Sequence, residues 1–214
     1  MPTNFPTSVD AFTNPISNDS LNSPSHSLQH ANANDAIEAI EGYLLTGLGK
    51  SGFVHLQTTT VSAASTITFT NVYSASFSNY LITISGSNSV ANAQLAYRNA
   101  ISGTPSTSSD WNAVEVYSNN ATSPSNYAGG LSDRIHASDG GTGSTTGLVY
   151  VFYPFLQRQT RVQASSSGFS SAGSFANLII AGGFQNNSTS YDGFVFTHNT
   201  GNFTGDISVY GIRN

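Results

Sequence analysis

The chain contains no cysteine, and only 8% of its 214 residues are charged. The first absence excludes disulfides and thiol chemistry and leaves the redox compartment open. The second is far below the roughly 25% of an average globular protein. Lysine is almost missing: Lys50 stands alone beside Arg98, Arg134, Arg158, Arg161 and Arg213, and the net charge is −5. With no Lys/Arg cluster to neutralise phosphates, nucleic acid is not an expected partner. No apolar run approaches about 18 residues, so no membrane partner is expected either. The start, Met1-Pro-Thr-Asn-Phe-Pro6, has neither the basic nor the apolar region of a secretory leader, and lysis is the expected route out of the cell.

What is present is 38% hydrophobic and 11% aromatic residues, enough for a packed β core, with polarity supplied by Ser, Thr, Asn and Gln. The length suits one domain plus an extension. Residues 1–29 read as an extended attachment arm. Pro2, Pro6, Pro15 and Pro24 forbid a continuous helix there. Phe5, Val9, Phe12, Ile16 and Leu21 are apolar anchors that a purely flexible linker would rarely carry.

Residues 30–52 hold the one sustained helical period and a Gly47/Gly49/Gly52 hinge. His30, Ala33, Ile37, Ile40 and Leu44 are spaced 3, 4, 3, 4, which is a coiled-coil seam with His30, Ile37 and Leu44 at a and Ala33 and Ile40 at d. Isoleucine at both kinds of position favours three or four strands over two. The expected helix starts near residue 26 or 32, is capped by Asn32 or Asn34, and sets Asp35 and Glu38 near its positive end. The competing use of the same stripe is packing on the chain's own β domain.

Residues 53–214 turn to short β segments separated by turn residues, which predicts an all-β, jelly-roll-like sandwich. Strands are expected near 53–58, 66–72, 80–85, 94–99, 113–117, 127–135, 147–153, 160–164, 175–181, 193–197 and 206–212. Residues 102–110, 118–125, 138–146 and 164–173 read as polar loops.

Signals for chemistry are thin. Asp139-Gly-Gly-Thr-Gly143 lacks the Lys-Ser/Thr of a phosphate loop and reads as a hairpin turn. Asp133, His136 and a serine could compose a triad, but no nucleophile-elbow sequence accompanies them. His26 and His30 share a helical face without the glutamate of a His-Glu-x-x-His motif, so capping or packing is the expected role. In a trimer His30 could instead converge on the axis. No catalytic residue, metal or cofactor is assigned. Trp111 and Tyr127 are the candidate glycan contacts, and with Tyr117, Tyr191 and Phe194 they could form a sugar-stacking surface; packing in the core is the competing role.

Two segments carry a resemblance. The run from Phe12-Thr-Asn-Pro15 through Ser23-Pro-Ser-His26 to His30-Ala-Asn-Ala-Asn34-Asp-Ala-Ile-Glu-Ala-Ile-Glu41 resembles a segment of tailed-bacteriophage virion structural proteins. Ser188-Thr-Ser-Tyr-Asp-Gly-Phe194 with Thr204-Gly-Asp-Ile-Ser-Val-Tyr-Gly-Ile-Arg213 is similar to the ending of β domains in such proteins, those of cyanophages included. The resemblance implies a non-enzymatic virion protein. Two expectations follow. One is a homotrimeric capsid decoration or cement protein, or short head fibre, whose arm grips the major capsid protein or another virion protein. The other is a receptor-binding tail fibre or spike that recognises host surface glycan.

Overall fold

Strand formation here follows from alternation. In Thr66-Ile-Thr-Phe69 the isoleucine and phenylalanine are buried and the threonines exposed, so the two-residue period turns one face to a core. The computed structural model describes residues 26–46, 52–90, 93–107, 110–118, 125–132, 134–140, 142–169 and 176–213. The expected arm, with Phe5, Val9, Phe12, Ile16 and Leu21, lies outside the described residues, as do the hinge glycines Gly47 and Gly49. The chain divides into two compact units, residues 1–52 and 53–214.

In the first unit, α1 spans His26–Thr46. The helix begins earlier than the asparagines suggest. Asn32 and Asn34 sit inside it and so do not stand at its N-terminus, and its first turn holds no acidic residue, so Asp35 and Glu38 are mid-helix. Helix propensity in the Ala/Leu/Glu-rich run from Ala31 to Leu45 outweighs the local preference of asparagine for a cap.

The second unit is an all-β sandwich of two antiparallel sheets. The larger has the order β1 (Gly52–Ala64), β13 (Phe203–Arg213), β3 (Asn79–Asn88), β9 (Thr145–Phe152), β10 (Arg161–Phe169), β11 (Ala176–Gln185), β6 (Trp111–Ser118) and β7 (Ser125–Ser132). The smaller runs β2 (Thr66–Phe69), β12 (Gly193–His198), β4 (Ala93–Ile101) and β5 (Thr104–Pro105), with β8 (Ile135–Gly140) also on β4. The chain passes back and forth between the sheets. Its last two strands are inserted, β12 between β2 and β4 and β13 between β1 and β3, so both sheets are completed only by the C-terminal residues.

The core lies between the sheets. Tyr80, Ile82, Val149, Val151, Val162, Ile179, Ile207 and Val209 face inward from the larger sheet, and Phe69, Phe194, Phe196, Leu95, Tyr97 and Ile135 from the smaller. Phe194 is its aromatic centre: it stacks on Phe69 at 4.5 Å between ring centroids and meets Phe196 edge-on at 5.2 Å. Such pairs contribute about 0.5–1.5 kcal/mol each beyond burial.

Several expected boundaries move, each for a tertiary reason. The single strand expected over 127–135 is two strands in different sheets, β7 on β6 and β8 on β4. The expected loop 138–146 contains the end of β8, because Leu95, Gln94 and Ala93 pair with Ser138, Asp139 and Gly140. The turn expected at 139–143 joins strands of different sheets and is therefore a crossover, not a hairpin. The expected loop 164–173 is strand as far as Phe169, since β9 and β11 satisfy the backbone of its serine run from both sides. Within the expected loop 102–110, Ile101 pairs with Thr104 across Ser102 (φ 49°) and Gly103 (φ 79°). Two successive positive φ values make this a two-residue hairpin turn, for which Ser-Gly suffices.

Candidate functional site

The helix seam is built from sequence spacing alone and stands open. Ile37 is 54% exposed and Ile40 45%, and His30 and Ala33 beside them are exposed as well. Leu44 is in the helix, with its side chain outside the described residues. The more covered residues, Gln29, Asn32, Asp35, Ala36, Ala39 and Gly42, lie on the other side of the helix. The four members of the stripe whose side chains are described are thus exposed. This is the geometry an association seam requires before its partners arrive.

The aromatic candidates fare differently. Trp111 is 0% exposed and meets Tyr97 edge-on at 6.3 Å, so it is a core residue and offers no face to a sugar. Tyr191 and Phe194 are buried too, and Tyr117 packs partly buried against the same core. Tyr127 pairs with Glu115 in the β6–β7 ladder, and its side chain is outside the described residues. Inward register at the start of β6 and along β12 decides this, and a lone tryptophan in a sequence cannot reveal on which face it falls.

Asp133 is outside the described residues, and His136 pairs with a carboxylate that the sequence did not nominate. Its Nδ1 lies 2.8 Å from Glu115 Oε2, and its backbone N–H donates to Glu115 Oε1 at 3.3 Å. Glu115 points inward from β6 to meet β8, tying the two sheets together. Burial is the largest influence on Glu115 and opposes its ionisation. The hydrogen bonds and charge of His136 together outweigh it, and its pKa is lowered overall.

A second polar arrangement is threaded through the core. Tyr73 and Tyr97 hydroxyls are 2.9 Å apart; Tyr97 donates to Asn99 Oδ1, and Asn99 Nδ2 donates to Gln185 Oε1 at 2.8 Å. Gln185 Nε2 then donates to Asp110 Oδ1 at 3.0 Å, and Asn187 Nδ2 donates to Asp110 Oδ2. From Tyr73 to Gln185 every donor points the same way, and Asn187 approaches from the other side, so both branches end on a carboxylate that only accepts. Burial pushes both phenols above the ordinary tyrosine range, so both stay neutral. The arrangement satisfies buried polar groups between sheets and loops, which is a structural task.

Sequence reasoning also passed over a set of outward-facing apolar side chains on the larger sheet: Val114, Val116, Leu148, Leu178, Ile180 and Phe184. The available signal was Leu178-Ile-Ile180, an apolar run without alternation, which places apolar side chains on both faces of β11.

Among the described residues, no group of three or more His, Cys, Asp or Glu side chains could hold a metal ion, and no helix is long and apolar enough to cross a membrane. No protein-family model, curated protein or solved structure matches the chain.

Proposed function

We propose that this chain is a non-enzymatic structural protein of a tailed-bacteriophage virion: a homotrimeric capsid decoration or cement protein, or short head fibre. The observation that carries the reading is the Ile37/Ile40 stripe on α1, at coiled-coil spacing and about half exposed. Three helices meeting along that stripe would bury it. They would also hold three arms together, so that individually weak contacts through Phe5, Val9, Phe12, Ile16 and Leu21 act at high effective concentration. A sandwich poor in charge, with uncharged hydroxyls and amides on its surface, suits a rigid outward module with no electrostatic claim on nucleic acid. The buried Trp111 removes one of the two glycan contacts on which a receptor-binding reading would rest.

The test is loading onto particles. Full-length chain should bind undecorated capsids and raise the temperature at which they release their contents. Chain lacking residues 1–25 should stay trimeric and fail to load. Undiminished loading of the truncated chain, or antibody label confined to the tail of intact virions, overturns the proposal.

A further inference from the structure

We propose that the outer face of the eight-stranded sheet, centred on Val116 and Ile180, is a contact surface for a second copy of this chain. The strand register makes the face continuous. Val116, Ile180, Ser165, Leu148 and Thr83 lie side by side across β6, β11, β10, β9 and β3. The neighbouring rows are Val114, Gly182, Gln163, Tyr150 and Leu81 on one side, and Ser118, Leu178, Ser167, Thr146 and Ser85 on the other. None of these fifteen residues is charged; exposed Arg161, beside Phe184, and exposed Asp206, beside Ser85, put charge at the rim of the face.

Three properties point to a second copy as the occupant. The first is area. Val114 is 59% exposed and Ile180 48%, and with Val116, Leu148, Leu178 and Phe184 the exposed apolar surface is on the order of 500 Å², at the upper end of what a monomer shows. At the roughly 57% non-polar share of an interface this corresponds to about 900 Å² per copy, against the about 800 Å² that a stable complex buries on each side. The second is shape. Beside the exposed Val114, Val116 and Ile180 the same face holds a depression of about 290 Å³ lined by Thr83, Thr146, Leu148, Ser165, Ser167 and Leu178. Exposed apolar side chains next to a hollow on one face give a copy related by a two-fold axis something to fill, as contact between identical patches requires. The third is charge. With charge only at its rim, the centre of the face has no means of selecting a charged partner, and a chain with 8% charged residues offers a similarly charge-poor surface.

This contact is independent of the helix seam, and sedimentation equilibrium on full-length chains separates the two. The variants are Val116→Lys/Ile180→Lys on the face, Ile37→Ala/Ile40→Ala on the helix, and all four together. The face positions are exposed, so folding is retained, as an unchanged melting temperature will show. Val116→Ser/Ile180→Ser supplies a milder second version. The helix variant should still self-associate. Adding the face substitutions to it should weaken that association by about tenfold or more. Association of the wild type should be insensitive to salt. Face variants that match their parents in stoichiometry and midpoint, in both wild-type and helix-variant backgrounds, overturn this proposal and leave the helix reading standing. A helix variant identical to wild type, with face variants that dissociate, overturns the helix reading and supports this one. A wild type that is monomeric throughout overturns both.

Discussion

Replacing Ile37 and Ile40 by alanine should raise the concentration needed for half-assembly of the trimer about a hundredfold. An isoleucine side chain fully removed from water contributes about 1.5–3 kcal/mol. Both residues already hide close to half their surface within the helix, so association removes only the remaining 54% and 45%. That leaves about 1 kcal/mol for each side chain, and a trimer has six of them, about 6 kcal/mol in all. At 1.4 kcal/mol per factor of ten, the association constant falls about 10⁴-fold. For three monomers forming one trimer the midpoint concentration varies as the square root of that constant, hence the factor of about a hundred. Alanine is the best helix former, so α1 itself is strengthened by the change and cannot account for lost assembly. Sedimentation equilibrium over a wide concentration range reads the midpoint directly, and circular dichroism checks that the helix survives. A midpoint that moves less than threefold would show that Ile37 and Ile40 do not meet their counterparts, and the seam reasoning would be wrong.

Three further outcomes test the β domain. Tyr97→Phe removes the donor to Asn99 and the acceptor for Tyr73, leaving two buried groups unpaired, and should cost about 2–4 kcal/mol in thermal or denaturant unfolding; a cost below half a kcal/mol would mean that water replaces the lost hydroxyl. Glu115→Gln should destabilise at neutral pH. Because the carboxyl's folded pKa is depressed below its ordinary value of 4.5, its contribution is complete above the unfolded value and is lost as pH falls through the folded one. The stability gap between wild type and Glu115→Gln should therefore be flat at neutral pH and close below about pH 4.5, and a gap that widens on acidification contradicts the assignment. Gly193→Ala places a methyl group 2.0 Å from the Phe69 carbonyl oxygen, on the backbone of the neighbouring strand. It should cost about 2–3 kcal/mol through displacement of β12 from β2, and an unchanged melting temperature would show that the two strands separate easily.

Legibility in the sequence followed locality. The 3-4 spacing on α1 is visible because a helix relates residues only three and four apart, and nothing distant alters that. Ile67 and Phe69 against Thr66 and Thr68 are legible for the same reason, with the strand's period of two in place of the helix's. The serine run Ser165-Ser-Ser167 is not legible as strand. Its backbone is held by β9 and β11, whose closest paired residues lie 17 and 11 positions away along the chain, at Leu148 and Leu178. Composition favours a loop there, and the ladder overrides it. Glu115 and His136 could not be matched from sequence either, since 21 positions and a change of sheet separate them.

By itself, then, the sequence determined the fold class, the presence of one helix before the β region and the stripe of isoleucines on it. All three are written in periods of about one helical turn or less. Tertiary structure alone decided that Trp111 is interior, that β12 and β13 are inserted between earlier strands, and that Val116 and Ile180 share an outer face with Leu148. Each of these depends on which strands pair and in what register. A one-residue slip in register would exchange the buried and exposed sets, and only the packing of the whole sandwich selects between them.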